Sequence, residues 1–288
     1  MPSFSASTVA LLALTLTLVV IAFVAPVRAA DPAPATDSAA VERACRDYVD
    51  AIYDLKPELI DRSVSPNLVK SGFGFNKKEG VYKQYPMSFA QLRELAASYN
   101  KDGKIPKDAP RDVVVLGVLD SIATAKLTAS WGVDYFQLAK EGGRWRIRHI
   151  LWQSHPPASA GTETDAVRRA CLDYAEGIYL VKPENIDRAV HRDLVKVGFV
   201  QNGADPEPAQ RPMSFDQLRT LAAQVNKDGK FGPSARKEVE VLDAMDQTAC
   251  AKLTAEWGID SFHLAKFDGQ WKIVQVVWQN HRSKPRAE

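Results

Sequence analysis

Apolar residues recur at helical spacing near the start of a long patterned segment. In residues 40–54 they lie three or four positions apart, which predicts an amphipathic helix. These positions are Val41, Ala44, Cys45, Tyr48, Ala51 and Ile52. Pro57 then favours a second, short helix, because proline is tolerated in a first helical turn. The capping box SFAQ at 88–91 predicts a third helix, which ends before NKDG at 100–103.

Apolar runs beyond the first two helices predict strands. Residues 68–75 are typical of a strand that enters a hairpin, and three longer strands are predicted at 113–119, 122–140 and 144–153. The dipeptides Asp-Ser and Gly-Gly supply the turns between the long strands. Helices first and an antiparallel meander last predict an α+β domain, in which the sheet curls around the helices.

The same pattern is written twice in the chain. The segment that begins at Ala40 reappears at Ala166, an offset of 166 − 40 = 126 residues that holds without a gap to the second copy's last strand. A repeat of this length predicts two domains rather than a solenoid. We place domain 1 at 40–155 and domain 2 at 166–282. Beyond the N-terminal segment, the residues outside the domains form a linker at 30–39, a second linker at 156–165 and a tail at 283–288.

The N-terminal segment has a different composition. Residues 9–25 carry no charge, Pro26 ends the run, and small residues at Val27 and Ala29 suit cleavage after Ala29. We therefore expect residues 1–29 to be a signal peptide and the remainder to be exported, either periplasmic or secreted. The alternative is an N-terminal anchor that stays uncleaved, since seventeen apolar residues can just span a bilayer.

Charge and cysteine content narrow the classes of function. There are 37 Lys and Arg against 35 Asp and Glu, so the net charge is +2 and gives no electrostatic reason to expect a nucleic acid or anionic membrane partner. Three cysteines are too few for a disulfide framework, and buried apolar packing is the simplest interpretation, although one bridge stays open. No His or Cys pair has metal spacing, so we predict no metal site and place His155 and His281 at the surface.

Several short motifs recur in both copies. In the first they are DY at 47–48, KLT at 126–128, WGVDY at 131–135, LAK at 138–140, GRW at 143–145 and Trp152. This combination resembles the putative lumazine-binding family of the nuclear transport factor 2-like superfamily. The resemblance implies two tandem cone-shaped domains, each a curved, mostly antiparallel sheet wrapped over about three helices. The fold hosts enzymes, ligand binders and assembly domains, so it does not by itself name a ligand or cofactor.

The alternation of the last strand predicts how the domains meet. One face, which carries Trp145 and His149, should point towards the helices, and the other should point outwards. The outward face is mostly apolar in the second copy and needs a partner. We therefore predict an intramolecular pseudo-dimer, in which the two sheets pack through Ile150, Trp152, Val274, Val276 and Trp278.

Ligand-binding members of such folds use the interior of the cone, which implies candidate ligand-binding residues here. By alternation and position these are Tyr48, Trp131, Tyr135 and His149 in domain 1, and Tyr174, Trp257, Ser261 and Gln275 in domain 2. Alternation places Asp134 and Asp260 on the other face, away from the tryptophans, unless the strand bulges at its glycine.

Three functions follow from these candidates. The first is an exported, non-catalytic protein that binds a small apolar or aromatic ligand or a protein partner. The second, implied by the resemblance, is an isomerase, dehydratase or cyclase-type enzyme that uses Tyr48 and His149 as catalytic residues. The third is an assembly module whose cones hold only side chains. Tyr135 and His149 become Ser261 and Gln275 in the second copy, so any catalysis would belong to one copy alone.

Overall fold

The computed structural model describes residues 36–157, 161, 163–201 and 207–281. The predicted signal peptide or anchor, most of the first linker and the C-terminal tail lie outside the described residues. None of the helices in the described part is long and apolar enough to cross a membrane. Both repeats belong to one compact unit.

The first repeat contains three helices and six strands. The helices are α1 (Asp37–Tyr53), α2 (Pro57–Ser63) and α3 (Phe89–Ser98). The strands are β1 (Val64–Asn76), β2 (Val81–Gln84), β3 (Arg111–Val118), β4 (Ile122–Ala129), β5 (Gly132–Glu141) and β6 (Arg144–Gln153). The predicted capping box is present at the start of α3, where Ser88 and Gln91 bond reciprocally.

The second repeat has the same order of elements. Its helices are α4 (Thr164–Tyr179), α5 (Pro183–Ala189) and α6 (Phe215–Ala222). Its strands are β7 (Val190–Val200), β8 (Ala209–Met213), β9 (Lys237–Ala244), β10 (Thr248–Ala255), β11 (Gly258–Phe267) and β12 (Gln270–Gln279).

Each repeat forms one six-stranded sheet. The strand orders are β2-β1-β6-β5-β4-β3 and β8-β7-β12-β11-β10-β9. The pairs β1–β6 and β7–β12 are parallel, and the other neighbours are antiparallel. The helices pack on one face of each sheet and build a separate apolar core in each repeat. The predicted α+β class, with a mostly antiparallel sheet over three helices in each of two tandem cones, is therefore confirmed.

The predicted long strand at 122–140 is wrong, because the chain reverses within it. Ser130 and Trp131 form a two-residue turn, and Ala129 pairs with Gly132, so β4 and β5 are antiparallel neighbours. Gly132 has φ +145°, and a Cβ there would lie 2.0 Å from the carbonyl oxygen of Gln153. Only glycine gives both this backbone conformation and this close approach.

The equivalent hairpin of the second repeat provides a stability test. Gly258 has φ +147°, and an added Cβ would lie 2.1 Å from the Gln279 oxygen. We expect Gly258→Ala to lower the free energy of unfolding by about 1–3 kcal/mol, measured by urea denaturation. Gly232→Ala is the matched control, since a Cβ at Gly232 meets nothing within 4 Å and its φ is not positive. Equal stability of the two variants would contradict this role of Gly258.

The outer faces of the two sheets contact each other. Three apolar clusters contain residues from both repeats: Ile122, Ala139, Val197, Phe199 and Val277; Phe73, Leu151 and Ala265; and Val133, Tyr135 and Cys250. Polar contacts join the same faces. Lys126 Nζ lies 2.5 Å from Asp243 Oδ2, and the Thr248 backbone N–H donates to Gln153 Oε1 at 2.8 Å.

The predicted set of contact residues was largely wrong. Ile150 and Val276 belong to the cores beneath the helices, and Trp278 packs against the second of these cores. Val274 alone of the five packs against a cluster that joins the repeats. The reason is a β-bulge. Gln137 pairs with His149 but Leu138 pairs with Ile147, so Arg148 is an extra residue and the alternation reverses there.

Candidate functional site

A buried cluster of four polar side chains lies inside the first cone. Asp134, on β5, is fully buried and accepts three hydrogen bonds. Tyr48 Oη from α1 and Lys70 Nζ from β1 donate to its Oδ1 at 3.1 and 3.0 Å, and Trp131 Nε1 from the turn donates to its Oδ2 at 2.6 Å. Lys70 Nζ also donates to Tyr48 Oη at 2.9 Å. The four residues come from four different segments of the fold.

The second cone repeats this cluster at the offset of 126 residues. Asp260 is fully buried on β11. Its Oδ1 accepts from Lys196 Nζ at 2.6 Å and from Tyr174 Oη at 3.3 Å, and its Oδ2 accepts from Trp257 Nε1 at 2.7 Å. We call each set of four residues the Lys–Asp–Tyr–Trp cluster.

The exclusion of the two aspartates from the cone interior was wrong. It assumed that one strand runs through Gly132, whereas the chain turns back there and β5 begins a new alternation. The lysines were not among the sequence candidates at all. One signal could have found them: the string Leu-Val-Lys-x-Gly-Phe occurs in both copies, and Lys70 and Lys196 are the charged residues within it.

Burial is the main cause of the pKa shifts of the lysines and tyrosines in these clusters. The side chains of Lys70 and Lys196 are each 5% exposed. Loss of water around the ammonium lowers the pKa of both lysines, although the neighbouring aspartates act in the opposite direction. Burial and the nearby carboxylates raise the pKa of Tyr48 and Tyr174 well above the usual range, so both phenols stay protonated and act as donors. Each carboxylate is therefore surrounded by donors.

A cavity of about 230 Å³ lies beside the cluster of the second repeat. Its polar lining consists of Lys196, Lys230 and Tyr174, and the remaining walls are apolar or aromatic: Ile178, Met213, Leu218, Leu221, Val225, Phe231, Trp257 and Trp278. Apolar walls with a few convergent polar groups are typical of small-molecule sites, and the volume lies below the range of about 300–1,000 Å³ for drug-sized ligands. The cavity suits a small compound.

The two cones differ at the mouth of this cavity. Val225, which lines it and is 37% exposed, corresponds to Tyr99 in the first repeat. The ring of Tyr99 packs edge-on against Trp131, with the ring centroids 5.8 Å apart. A phenol ring therefore covers the tryptophan of the first cluster at the position where the second repeat has a short valine side chain.

Four predicted ligand-binding residues lie between the repeats rather than in the cone interior. Tyr135 Oη donates to Asp243 Oδ2 of the other repeat at 2.6 Å, and Ser261 Oγ lies 2.8 Å from Thr124 Oγ1. His149 and Gln275 belong to the same interface. Their expected place in the cone was wrong because the β-bulge in the last strand of each repeat reverses the alternation. Tyr48, Trp131, Tyr174 and Trp257 do lie in the cones, and their role in ligand binding stays a prediction.

Two fully buried histidines occupy this interface. His149 Nδ1 lies 2.8 Å from Gln137 Oε1, and His263 Nδ1 lies 2.8 Å from Gln275 Oε1. Gln137 donates through Nε2 to the Ser261 carbonyl, so its Oε1 accepts and the His149 proton is on Nδ1. The Nε2 atoms of both histidines are buried without a hydrogen-bond partner among the residues that the structure describes.

Burial makes protonation of these histidines unfavourable. It lowers the pKa of His149 well below its usual range, with further contributions from Arg148 and His263. It lowers the pKa of His263 to about 4. Both rings are therefore neutral near pH 7.

Two further histidines and the cysteines have structural places. His155 and His281 are exposed, as predicted, and their Nε2 atoms lie 2.9 and 2.7 Å from the carbonyl oxygens of Ala129 and Ala255. The three cysteines are fully buried and unbridged, which confirms their packing role. No group of three or more His, Cys, Asp or Glu in the described ranges is placed to hold a metal ion.

Each repeat is thus a cone-shaped α+β domain with a polar cluster buried against its helices. The sequence matches the family described as putative lumazine-binding twice, over residues 36–153 and 162–279. The chain therefore belongs to the putative lumazine-binding family, in two tandem copies. The domain boundaries at 40–155 and 166–282 stay predictions.

Similar solved structures each cover about two fifths of this chain. An NTF2-like protein of unknown function from Methylobacillus flagellatus KT is 21% identical, over 41% of this chain and 92% of that one, with a TM-score of 0.33. One from Shewanella baltica OS155 is 20% identical, over 42% and 94%, with a TM-score of 0.34. A ketosteroid isomerase-like protein from Erwinia carotovora atroseptica SCRI1043 is 14% identical, over 43% and 100%, with a TM-score of 0.32. None of the curated proteins compared matches the sequence.

Proposed function

We propose that this protein is an exported, non-catalytic binding protein whose second cone holds a small, largely apolar or aromatic molecule. The observation that carries the proposal is the 230 Å³ cavity with Lys196 in an otherwise apolar and aromatic wall. Lys196 can donate to an acceptor atom of the ligand, while Trp257 and Trp278 offer aromatic surface. Membership of a family described as putative lumazine-binding supports a small-ligand role.

The geometry supports binding over catalysis by the predicted pair. Tyr48 lies in the first cone and bonds to Asp134, whereas His149 lies between the repeats and bonds to Gln137. The two residues therefore do not share one site. A general base must reach the substrate with a free acceptor atom. In the first cone the oxygens of Asp134 already accept hydrogen bonds from Tyr48, Lys70 and Trp131, so this aspartate has no free acceptor atom for a substrate proton.

The proposal also covers the arrangement and location of the protein. The contacts between the outer faces of the sheets support an intramolecular pseudo-dimer, in which one cone binds and the other stabilises it. The apolar segment at 9–25 supports export, with a retained anchor as the alternative.

Closing the mouth of the cavity tests the binding function. We expect Val225→Tyr to give the second repeat the covering ring of the first, and to reduce the affinity of small aromatic probes at least about tenfold. Saturation-transfer NMR with indole and benzyl alcohol, titrated against the full chain, measures this. Tyr99→Val is the matched control, because it opens the first cone and leaves the second unchanged.

The outcomes separate the alternatives. Probe binding that Val225→Tyr abolishes and Tyr99→Val leaves intact or increases supports the proposal, provided that both variants keep the wild-type unfolding midpoint. Probe binding that neither Val225→Tyr nor Lys196→Arg affects would place the site elsewhere and contradict it. Native mass spectrometry of the freshly purified chain then identifies any ligand that remains bound.

A further inference from the structure

The amine of Lys196 is a nucleophile at the wall of the second cavity. We propose that Lys196 captures a small aldehyde in this cavity as a covalent imine, so that the protein binds its ligand reversibly through a carbon–nitrogen bond. This inference rests on the proposed binding function, because it requires a compound to occupy the cavity.

The surroundings of Lys196 favour such a reaction. Its Nζ lies 5.6 Å from the centre of the Tyr174 ring and 5.4 Å from the centre of the Trp278 ring, and both rings line the cavity. Among the described residues its Nζ hydrogen bonds to Asp260 alone. A buried lysine between aromatic rings has the environment that activates amines for attack on carbonyl carbons.

The lysine of the first repeat is held differently. Lys70 Nζ donates to both Tyr48 Oη and Asp134 Oδ1, whereas in the part of the second repeat that the structure describes Tyr174 Oη bonds to Asp260 and not to Lys196. Lys196 therefore has one hydrogen-bonding position more available for a ligand than Lys70. Val225 also lines the second cavity with a short side chain, whereas in the first cone the ring of Tyr99 packs against Trp131. Lys70 is the internal control for chemistry that depends on the cavity.

The imine-forming step balances with the groups present. Burial lowers the pKa of the Lys196 ammonium, and Asp260, at 2.6 Å, is placed to accept its proton. The neutral amine attacks the carbonyl carbon, one of its N–H protons moves to the carbonyl oxygen, and a carbinolamine forms. Asp260 returns the proton to the carbinolamine hydroxyl, which leaves as water, and a carbon–nitrogen double bond forms. The reaction needs no oxidant or reductant, and hydrolysis reverses it.

The cavity also selects the class of carbonyl compound. Its small volume and apolar and aromatic walls favour an aldehyde with a compact aromatic or aliphatic body over a sugar or a peptide. Apolar surroundings hold little water, and this slows hydrolysis of the imine once it has formed. Benzaldehyde is therefore a suitable probe.

Reductive trapping tests the proposal. The full chain is incubated with benzaldehyde and sodium cyanoborohydride, which reduces an imine to a stable secondary amine, and the modified lysine is identified by peptide mass spectrometry at early times. We expect Lys196 to gain a benzyl group at least about tenfold faster than exposed lysines such as Lys104 and Lys107, since a tenfold ratio corresponds to about 1.4 kcal/mol of preferential reaction.

Variants keep the test interpretable. Lys196→Arg keeps a cation beside Asp260 and preserves the fold while removing the reactive amine, and Val225→Tyr blocks the mouth. Lys196→Arg should abolish trapping at position 196, and Val225→Tyr should slow the trapping of Lys196 because the probe can no longer enter the cavity. Lys70→Arg should leave the trapping of Lys196 unchanged. Excess benzyl alcohol should slow trapping by competition.

The remaining outcomes distinguish failure of the imine from failure of the proposed binding function. Binding of benzyl alcohol by NMR together with trapping at Lys196 no faster than at exposed lysines would overturn the imine and leave the proposed binding function standing. Absence of binding by either probe would overturn both. Fast trapping that Val225→Tyr does not affect would show that the reaction occurs outside the cavity, and would also overturn the inference.

Discussion

Replacing Asp134 by alanine should lower the free energy of unfolding by about 3–5 kcal/mol, which is a large part of the stability of a typical domain. The carboxylate is fully buried and is the acceptor for Lys70, Tyr48 and Trp131. Its removal leaves a buried amine without its counter-charge and two further donors without their acceptor. Urea denaturation followed by far-UV circular dichroism measures the change.

A double variant separates the ion pair from simple loss of packing. Asp134→Leu combined with Lys70→Met replaces the buried pair by apolar side chains, and we expect it to regain part of the stability lost in Asp134→Ala, since no unpaired buried charge remains while the Tyr48 and Trp131 donors still lack their acceptor. Asp102→Ala is the surface control and should change stability by less than about 0.5 kcal/mol, because its ion pair with Lys104 is exposed. A loss below about 1 kcal/mol in Asp134→Ala would refute the role assigned to this cluster.

Acidification should weaken the protein through the histidines between the repeats. Burial holds the pKa of His263 at about 4 in the folded chain, against about 6.5 in an unfolded one. The unfolded state therefore binds more protons between these values, and stability falls as the pH drops from about 6.5 towards 4. For His263 alone this amounts to about 3 kcal/mol. His149, whose pKa is also lowered, acts in the same direction.

Substitution of the histidines isolates this contribution. We expect His263→Gln to reduce the loss of stability between pH 7 and pH 4.5, compared with the wild type, when urea midpoints are measured across the range. His155→Gln is the matched control, because His155 is exposed and should leave the pH profile unchanged. Tyr135, Cys250 and Arg148 lie in the same neighbourhood, but their charges do not change in this range. Parallel profiles for His263→Gln and the wild type would contradict the assignment.

The architecture could be predicted from the sequence because its signals are local or repeated. Helical spacing in α1, the capping box before α3 and the offset of 126 residues each need only neighbouring residues or two aligned copies to be recognised. The membership of Tyr48 and Tyr174 in the cones followed from the same patterns, since a helix in such a domain turns its apolar face to the sheet.

The site could be predicted only in part, because face assignments fail wherever a strand is interrupted. The turn at Ser130 and Trp131 reversed the chain and returned Asp134 to the cone, and the extra residue at Arg148 moved His149 to the interface. Lys70 was missed because a lone lysine in a strand is recognisable as buried only when its counter-charge is known, and Asp134 lies 64 residues away in sequence.

By itself, the sequence determined two copies of one α+β cone, the family to which they belong, and the helices and most of the strands that build them, because these depend on periodicity and on repetition. Only the tertiary structure decided which side chains share a site. It brought Lys196, Asp260, Tyr174 and Trp257 together beside a cavity and placed the predicted histidine between the repeats. The physical reason is that one turn or one bulge shifts a two-residue alternation by a full face, and pairing of distant strands decides where each occurs.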